Sequence, residues 1–202
     1  MSWKDAEYPQ IQYFAPREIP HDWRAKAQIA EVELVSVEPE LEAQPLSCLK
    51  NVKDYIAKHG GAVQFGWIFS VLGNVALKLT AHAVVKKNDN TLLCVTPNEY
   101  RSGKLKFSRD DSIARLITNN HLPLKFVPLV NNEALENYIA LEQELDDLRL
   151  RNAGVVEASV VNAQHLKATF LLPEIIALAK RYTGRNDLCY CGSGKKRKKC
   201  CI

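Results

Sequence analysis

Two groups of residues in this chain have the types and spacing to do chemistry. The first lies in the last nineteen residues, Gly184 to Ile202, which read GRNDLCYCGSGKKRKKCCI and hold four of the six cysteines. Their pattern is Cys189-x-Cys191, eight residues, then Cys200-Cys201. Four thiolates suit the tetrahedral corners of a Zn2+ ion, with Zn–S of roughly 2.3 Å, and two short clusters joined by a loop can wrap one ion. Gly192 and Gly194 supply the turning that this requires. Four thiolates on one Zn2+ leave a net negative site, which Lys195, Lys196, Arg197, Lys198 and Lys199 offset while keeping the thiolates deprotonated. The same run is a candidate contact for an acidic partner. A disulfide pair and a plain basic tail are the alternatives, and both fit the metal spacing less well.

The second group is Cys48 and His82. Ser47 is a good N-cap residue, so Cys48 falls at the first position of a helix that Leu49, Val52 and Ile56 continue to Gly60-Gly61. A helix N-terminus lowers a thiol pKa, and an imidazole from a neighbouring strand can take its proton, so Cys48 and His82 are candidate catalytic residues. Val75, Leu77, Leu79, Ala81, Ala83 and Val85 alternate onto one strand face, which puts His82 on the other with Lys78 and Thr80. A three-residue loop at Asn88 to Asn90 brings Cys94 onto the face of His82, and a two-residue loop reverses it. Against this stands the plainer reading, in which Cys48 is a small buried hydrophobe and His82 an exposed strand residue.

The tail resembles the SEC-C motif, the SecA-type zinc knuckle, in Cys189, Cys191, Ser193, Gly194, Cys200 and Cys201 and in the lead-in Gly184 to Asp187. The resemblance covers about a tenth of the chain. It implies a bound Zn2+ and a recruiting role, toward a protein chaperone, the ribosome or another anionic partner, with nucleic acid or a membrane surface among the anions, and no catalysis of its own. The segments Cys48-Leu-Lys-Asn51-Val52, Gly60-Gly61, Phe65-Gly66-Trp67, Ala81-His82-Ala83-Val84 and Val95-Thr96-Pro97 are similar to the core of papain-like and transglutaminase-like folds. That resemblance implies a cysteine-dependent hydrolase or transferase. Cys94 departs from it, standing where such a fold places an aspartate.

Around these groups the chain reads as an α+β body, residues 1–182, with a zinc-binding knuckle at 183–202. An irregular arm, about 1–45, is punctuated by prolines and holds a short helix near Asp22 to Gln28 and a strand at Ala30 to Val37. Ala62 to Leu72, Val75 to Lys86 and Thr91 to Thr96 read as an antiparallel meander. A polar loop from Tyr100 leads to a strand at Leu105 to Phe107, Asp110 or Asp111 caps a short helix through Thr118, and Leu124 to Val130 is a strand that Pro128 pushes to an edge. Asn132 caps a long helix from Glu133 to about Arg151. Val155 to Leu172 is ambiguous between strand and helix, and Pro173 is placed to begin a last helix through Tyr182. The knuckle then reads as a module tethered to the body.

Hydrophobic residues at 47% and charged residues at 25% are ordinary for a globular domain. The formal charge of +4 hides an asymmetry. Eight basic residues and one acid lie from Lys180 on, so of 27 Lys and Arg and 23 Asp and Glu, residues 1–179 hold 19 and 22. An acidic body with a basic end points to an electrostatic contact made by the tail. No apolar run approaches a transmembrane segment, and Met1 to Gln10 does not read as a signal peptide, so a cytoplasmic protein with reduced thiols is expected.

Overall fold

The computed structural model describes residues 11–97 and 103–201. The first ten residues of the expected arm and Tyr100 to Ser102 of the expected loop lie outside them. Among the described residues the architecture is α+β, with four helices, α1 (His21–Ala27), α2 (Cys48–His59), α3 (Glu133–Arg151) and α4 (Ala158–Tyr182), around one sheet. Its seven strands are β1 (Tyr13–Phe14), β2 (Glu33–Val37), β3 (Ala62–Leu72), β4 (Ala76–Lys86), β5 (Leu92–Cys94), β6 (Lys104–Arg109) and β7 (Leu124–Pro128).

The meander is present: β3 pairs with β4 along its whole length, from Ala62↔Lys86 to Leu72↔Ala76, and β4 pairs antiparallel with β5. Two long-range pairings extend it. β6 joins β3 to β2, and β2 runs parallel to β5, so β3, β6, β2, β5 and β4 close into a ring. β1 and β7 lie at the two ends, and β7 carries Pro128 at the edge as its missing N–H requires. The stretch expected as an irregular arm is thus mostly built into the body. β2 is an interior strand, and Phe14, Ile19, Trp23, Ile29 and Val32 pack against the sheet.

All five ring strands contribute to the ring's interior. Val35, Val84, Cys94 and Phe107 form one buried cluster there. Gly66 on β3 completes it, because a Cβ at this position would collide with the Phe107 ring and the Ser108 carbonyl. The opposite face of the sheet is covered in sections by helices. α1 and Ile113 of a 3-10 turn, Asp111–Arg115, cover Trp67, Phe69, Leu77 and Leu79. α2 covers Ala83, Val85, Leu93 and Val95. The 3-10 turn stands where a short helix through Thr118 is expected, capped by Asp110, whose carboxylate accepts from the Ser112 N–H.

The helical ends follow the sequence closely, with two differences. Ser47 precedes α2, but its hydroxyl makes no capping bond; its carbonyl accepts the Asn51 N–H instead. Pro173 does not begin a helix: α4 runs unbroken through it from Ala158, which also resolves the ambiguous stretch as helix. A proline inside a helix forfeits one backbone hydrogen bond and strains the preceding turn, at roughly 3 kcal/mol. Here the helix continues because Ile175 and Ala179, both fully buried on the far side of Pro173, keep it seated on the body.

Candidate metal centre and thiol–imidazole groove

The tail folds by short-range hydrogen bonds that its sequence makes available. The Asp187 carboxylate accepts from the Gly184 N–H at 2.7 Å, closing the GRND turn. Cys189 N–H donates to the Lys195 carbonyl at 2.7 Å and Gly192 N–H to the Cys189 carbonyl at 3.0 Å, so the two cysteine clusters are folded onto each other. Gly192 and Gly194 sit at φ 76° and 74°, the left-handed region a side chain resists. The result gathers the sulfurs of Cys189, Cys191, Cys200 and Cys201 within 4.8 Å of one another. The Cys191–Cys200 and Cys200–Cys201 pairs are 3.5 and 3.9 Å apart. A tetrahedral ion with metal–sulfur bonds of roughly 2.3 Å requires sulfur–sulfur edges of roughly 3.8 Å, so the donor set fits a metal ion. Among the described residues no other group of His, Cys, Asp or Glu side chains gathers so closely.

Crowding also shows why these thiols call for a cation. Burial, with the neighbouring sulfurs of Cys189 and Cys191, pushes the Cys201 thiol up to about 12. A bound cation reverses this, because it favours each thiolate that the others disfavour.

The family model of the SEC-C motif matches residues 185–202. The tail is a SEC-C motif. No curated protein and no solved structure matches the chain. The SEC-C identity therefore belongs to the tail, and the body is read from its own residues.

The SEC-C tail is docked, not tethered as its position after Thr183-Gly184 suggests. Cys189 and Tyr190 are buried in one cluster with Leu72, Val75 and Ala76 of the β3–β4 turn and with Ile175 and Ala179 of α4. Gly73, at φ 48°, lies so close that an added Cβ would strike the Ala179 side chain and press on that of Tyr190. The buried Thr183 donates to the Gly73 carbonyl, and the Arg197 guanidinium donates to the Thr183 carbonyl. Arg197 is thereby separated from its neighbours. Lys195, Lys196, Lys198 and Lys199 are exposed, while Arg197 is half-buried and braces the junction. Spacing in the sequence does not distinguish it from the lysines, and neither Gly73 nor Tyr190 carries a signal of this contact.

The body brings the second group together around a groove. Lys87 N–H donates to the Thr91 carbonyl, which leaves Asn88, Asp89 and Asn90 as a three-residue loop with Asn90 at φ 71°. With Val85 opposite Leu93, Cys94 falls on the face of His82, and its sulfur lies 3.3 Å from His82 Nε2. Cys94, at the position where the papain-like resemblance leads one to expect an aspartate, therefore contacts the imidazole. Cys48 is the first residue of α2 and packs over Ala83. It reaches β4 where the edge of that strand away from β3 has no strand neighbour, between its pairing with β7, which ends at Thr80, and with β5, which begins at Val85. Asn51, one turn along α2, donates to the Gln44 carbonyl at 2.8 Å and to Thr96 Oγ1 at 3.1 Å, tying the helix to the strand end after Cys94. Nothing in the sequence marks this pair, which is 45 residues apart.

The electrostatics favour neutral forms. Burial lowers the His82 imidazole to about 4 and raises the Cys94 thiol to about 11. Cys48 is also raised by burial, against the pull of backbone hydrogen bonds at Ala83, Leu49 and Cys48 itself. Desolvation thus outweighs the helix N-terminus, and near neutral pH the site holds two thiols and a neutral imidazole. Among the described residues Cys48, His82 and Cys94 are not gathered as a metal-holding group.

The His82 shift has a consequence for stability. Its folded pKa lies below its ordinary 6.5, so the unfolded chain takes up the proton first. The stability that the neutral His82 contributes is fully present above about pH 6.5 and is lost as pH drops toward about 4, by on the order of 3 kcal/mol. Urea unfolding across this window should show a smaller loss for His82→Gln than for the unsubstituted protein. Equal losses would contradict the buried neutral imidazole.

Proposed function

We propose that this protein is a zinc-binding recruitment protein, with its SEC-C tail as the attachment site for an anionic partner. The four converging sulfurs carry the reading. An all-thiolate tetrahedral site selects Zn2+ among redox-inert divalent ions, and a closed four-ligand set is structural and leaves no position for a substrate. Zn2+ there would hold the two cysteine clusters together and keep the thiolates charged. Lys195, Lys196, Lys198 and Lys199 are exposed beside the sulfurs on the basic end of an otherwise acidic chain. Such a surface suits a polyanionic partner, either an acidic protein such as a chaperone or ribosomal RNA. All six cysteines are free, as suits a reducing, cytoplasmic setting.

Purified without chelator, the full chain should carry about one zinc per molecule, and substituting Cys189, Cys191, Cys200 and Cys201 by serine should abolish it. On a heparin column the protein should elute at higher salt than a variant with alanine at the four exposed lysines. Absence of zinc would sink the metal reading, and identical elution of the two proteins would sink the electrostatic one.

One observation favours a second reading, a cysteine-dependent hydrolase or transferase. Cys48 at a helix start and His82 on a strand border the same groove, with Cys94 against the imidazole. In that reading Cys48 is the nucleophile and His82 its base. The burial of both groups weighs against it, since an activated thiol needs a lowered pKa. Cys48 should therefore react sluggishly with iodoacetamide near neutral pH, at a rate that His82→Ala leaves unchanged. Fast alkylation that depends on His82 would restore the enzyme reading.

A further inference from the structure

The groove is large, about 1160 Å³, just above the roughly 300–1,000 Å³ usual for small-molecule sites. One wall is the ladder of β3 and β4, where Ser70 faces Lys78, Ile68 faces Thr80 and His82 lies one step deeper. Leu46, Leu105, Leu122 and Leu124 give the lining an apolar character. Its charge is one-sided. Among the described residues seven Lys and Arg side chains line it against one acid, Asp54, although residues 1–179 as a whole carry more acids than bases.

Internal partners account for only part of this. Asp54 is held by Lys50 at 2.6 Å, and Arg149 is held by the buried Asp146. The Lys78 ammonium lies over the rings of Tyr13 and Phe126. Arg17, Lys53 and Lys106 have no hydrogen bond or ion pair among the described residues. Like charges gathered along apolar walls repel each other more strongly than in open water, because part of their surroundings is low in dielectric. A chain with an acidic excess elsewhere has gathered cations along this groove, Lys78, Lys106 and Arg149 half-buried and the other four exposed.

We infer that the groove binds an organic anion, a molecule with an apolar body and a carboxylate, sulfonate or phosphate group. The apolar body lies against Ile68, Leu105 and Leu124, and the acidic group is drawn by the cations of the lining. This site is separate from the SEC-C tail and does not depend on the recruitment reading. The lining selects by charge as well as by apolar contact, so a cation of the same shape is excluded.

Isothermal titration calorimetry of the full chain with 2-naphthoate and with 2-naphthylmethylammonium tests this, since the two probes share one apolar body and differ in charge. Naphthoate should bind at least about tenfold more tightly than the ammonium probe, and less tightly as salt is raised. The double variant Lys53→Glu with Lys106→Glu should lose about tenfold or more in naphthoate affinity at unchanged melting temperature. Alanine at Lys195, Lys196, Lys198 and Lys199 should leave that affinity unchanged, which separates the groove from the tail. Equal binding of the two probes, no binding of either, or a double variant that binds naphthoate as well as the parent would overturn the proposal.

Discussion

The eleven-residue pairing of β3 with β4 is the constraint on which the rest of the structure depends. Its turn, at Gly73 and Asn74, is the surface against which the SEC-C tail packs. Its middle presents Lys78, Thr80 and His82 to the groove. Beyond β3 the sheet reaches β6, and beyond β4 it reaches β5, so the same hairpin closes the ring that buries Phe107 and Cys94. A register slip of one residue would turn His82 away from Cys94 and Lys78 away from the groove, because side chains alternate across a strand.

Burial then decides the chemistry of what the hairpin positions. Cys48 has the attributes that activate a thiol: a place at a helix start and backbone hydrogen bonds to favour the thiolate. Desolvation outweighs them, and it also keeps His82 neutral. In the tail the same crowding has the opposite outcome, because four sulfurs close together can share one cation. The two cysteine groups therefore differ in geometry more than in residue type. Four converging sulfurs can hold a metal ion, whereas two thiols and an imidazole spread along a groove wall make a neutral surface.

Local features of the fold were legible in the sequence. Ala62 to Leu72, the place where α2 starts, the Asn132 cap of α3 and the turn at Asn88 to Asn90 follow from alternation, residue types at helix ends and turn residues, whereas the face shared by His82 and Cys94 hung on a loop length that the sequence left open. The tail's metal site was legible because its ligands are close in sequence and its turns need glycine. What the sequence does not display are pairings between distant segments. The parallel pairing of β2 with β5 brings Val37 opposite Cys94, and no local pattern encodes it. The seat of Tyr190 against Gly73 and the bond from Asn51 to Thr96 are of the same kind. Pro173 misleads for a related reason, since its local signal for a helix start yields to the burial of Ile175 and Ala179.

A metal-organised tail fixed to the tip of the central hairpin is the core of this account, and everything proposed about recruitment rests on the four sulfurs acting as one ligand set. X-ray absorption at the zinc edge, on the full chain as purified, addresses that set most directly. A single shell of four sulfurs at about 2.3 Å is expected. A shell containing oxygen or nitrogen donors, or fewer than four sulfurs, would contradict it.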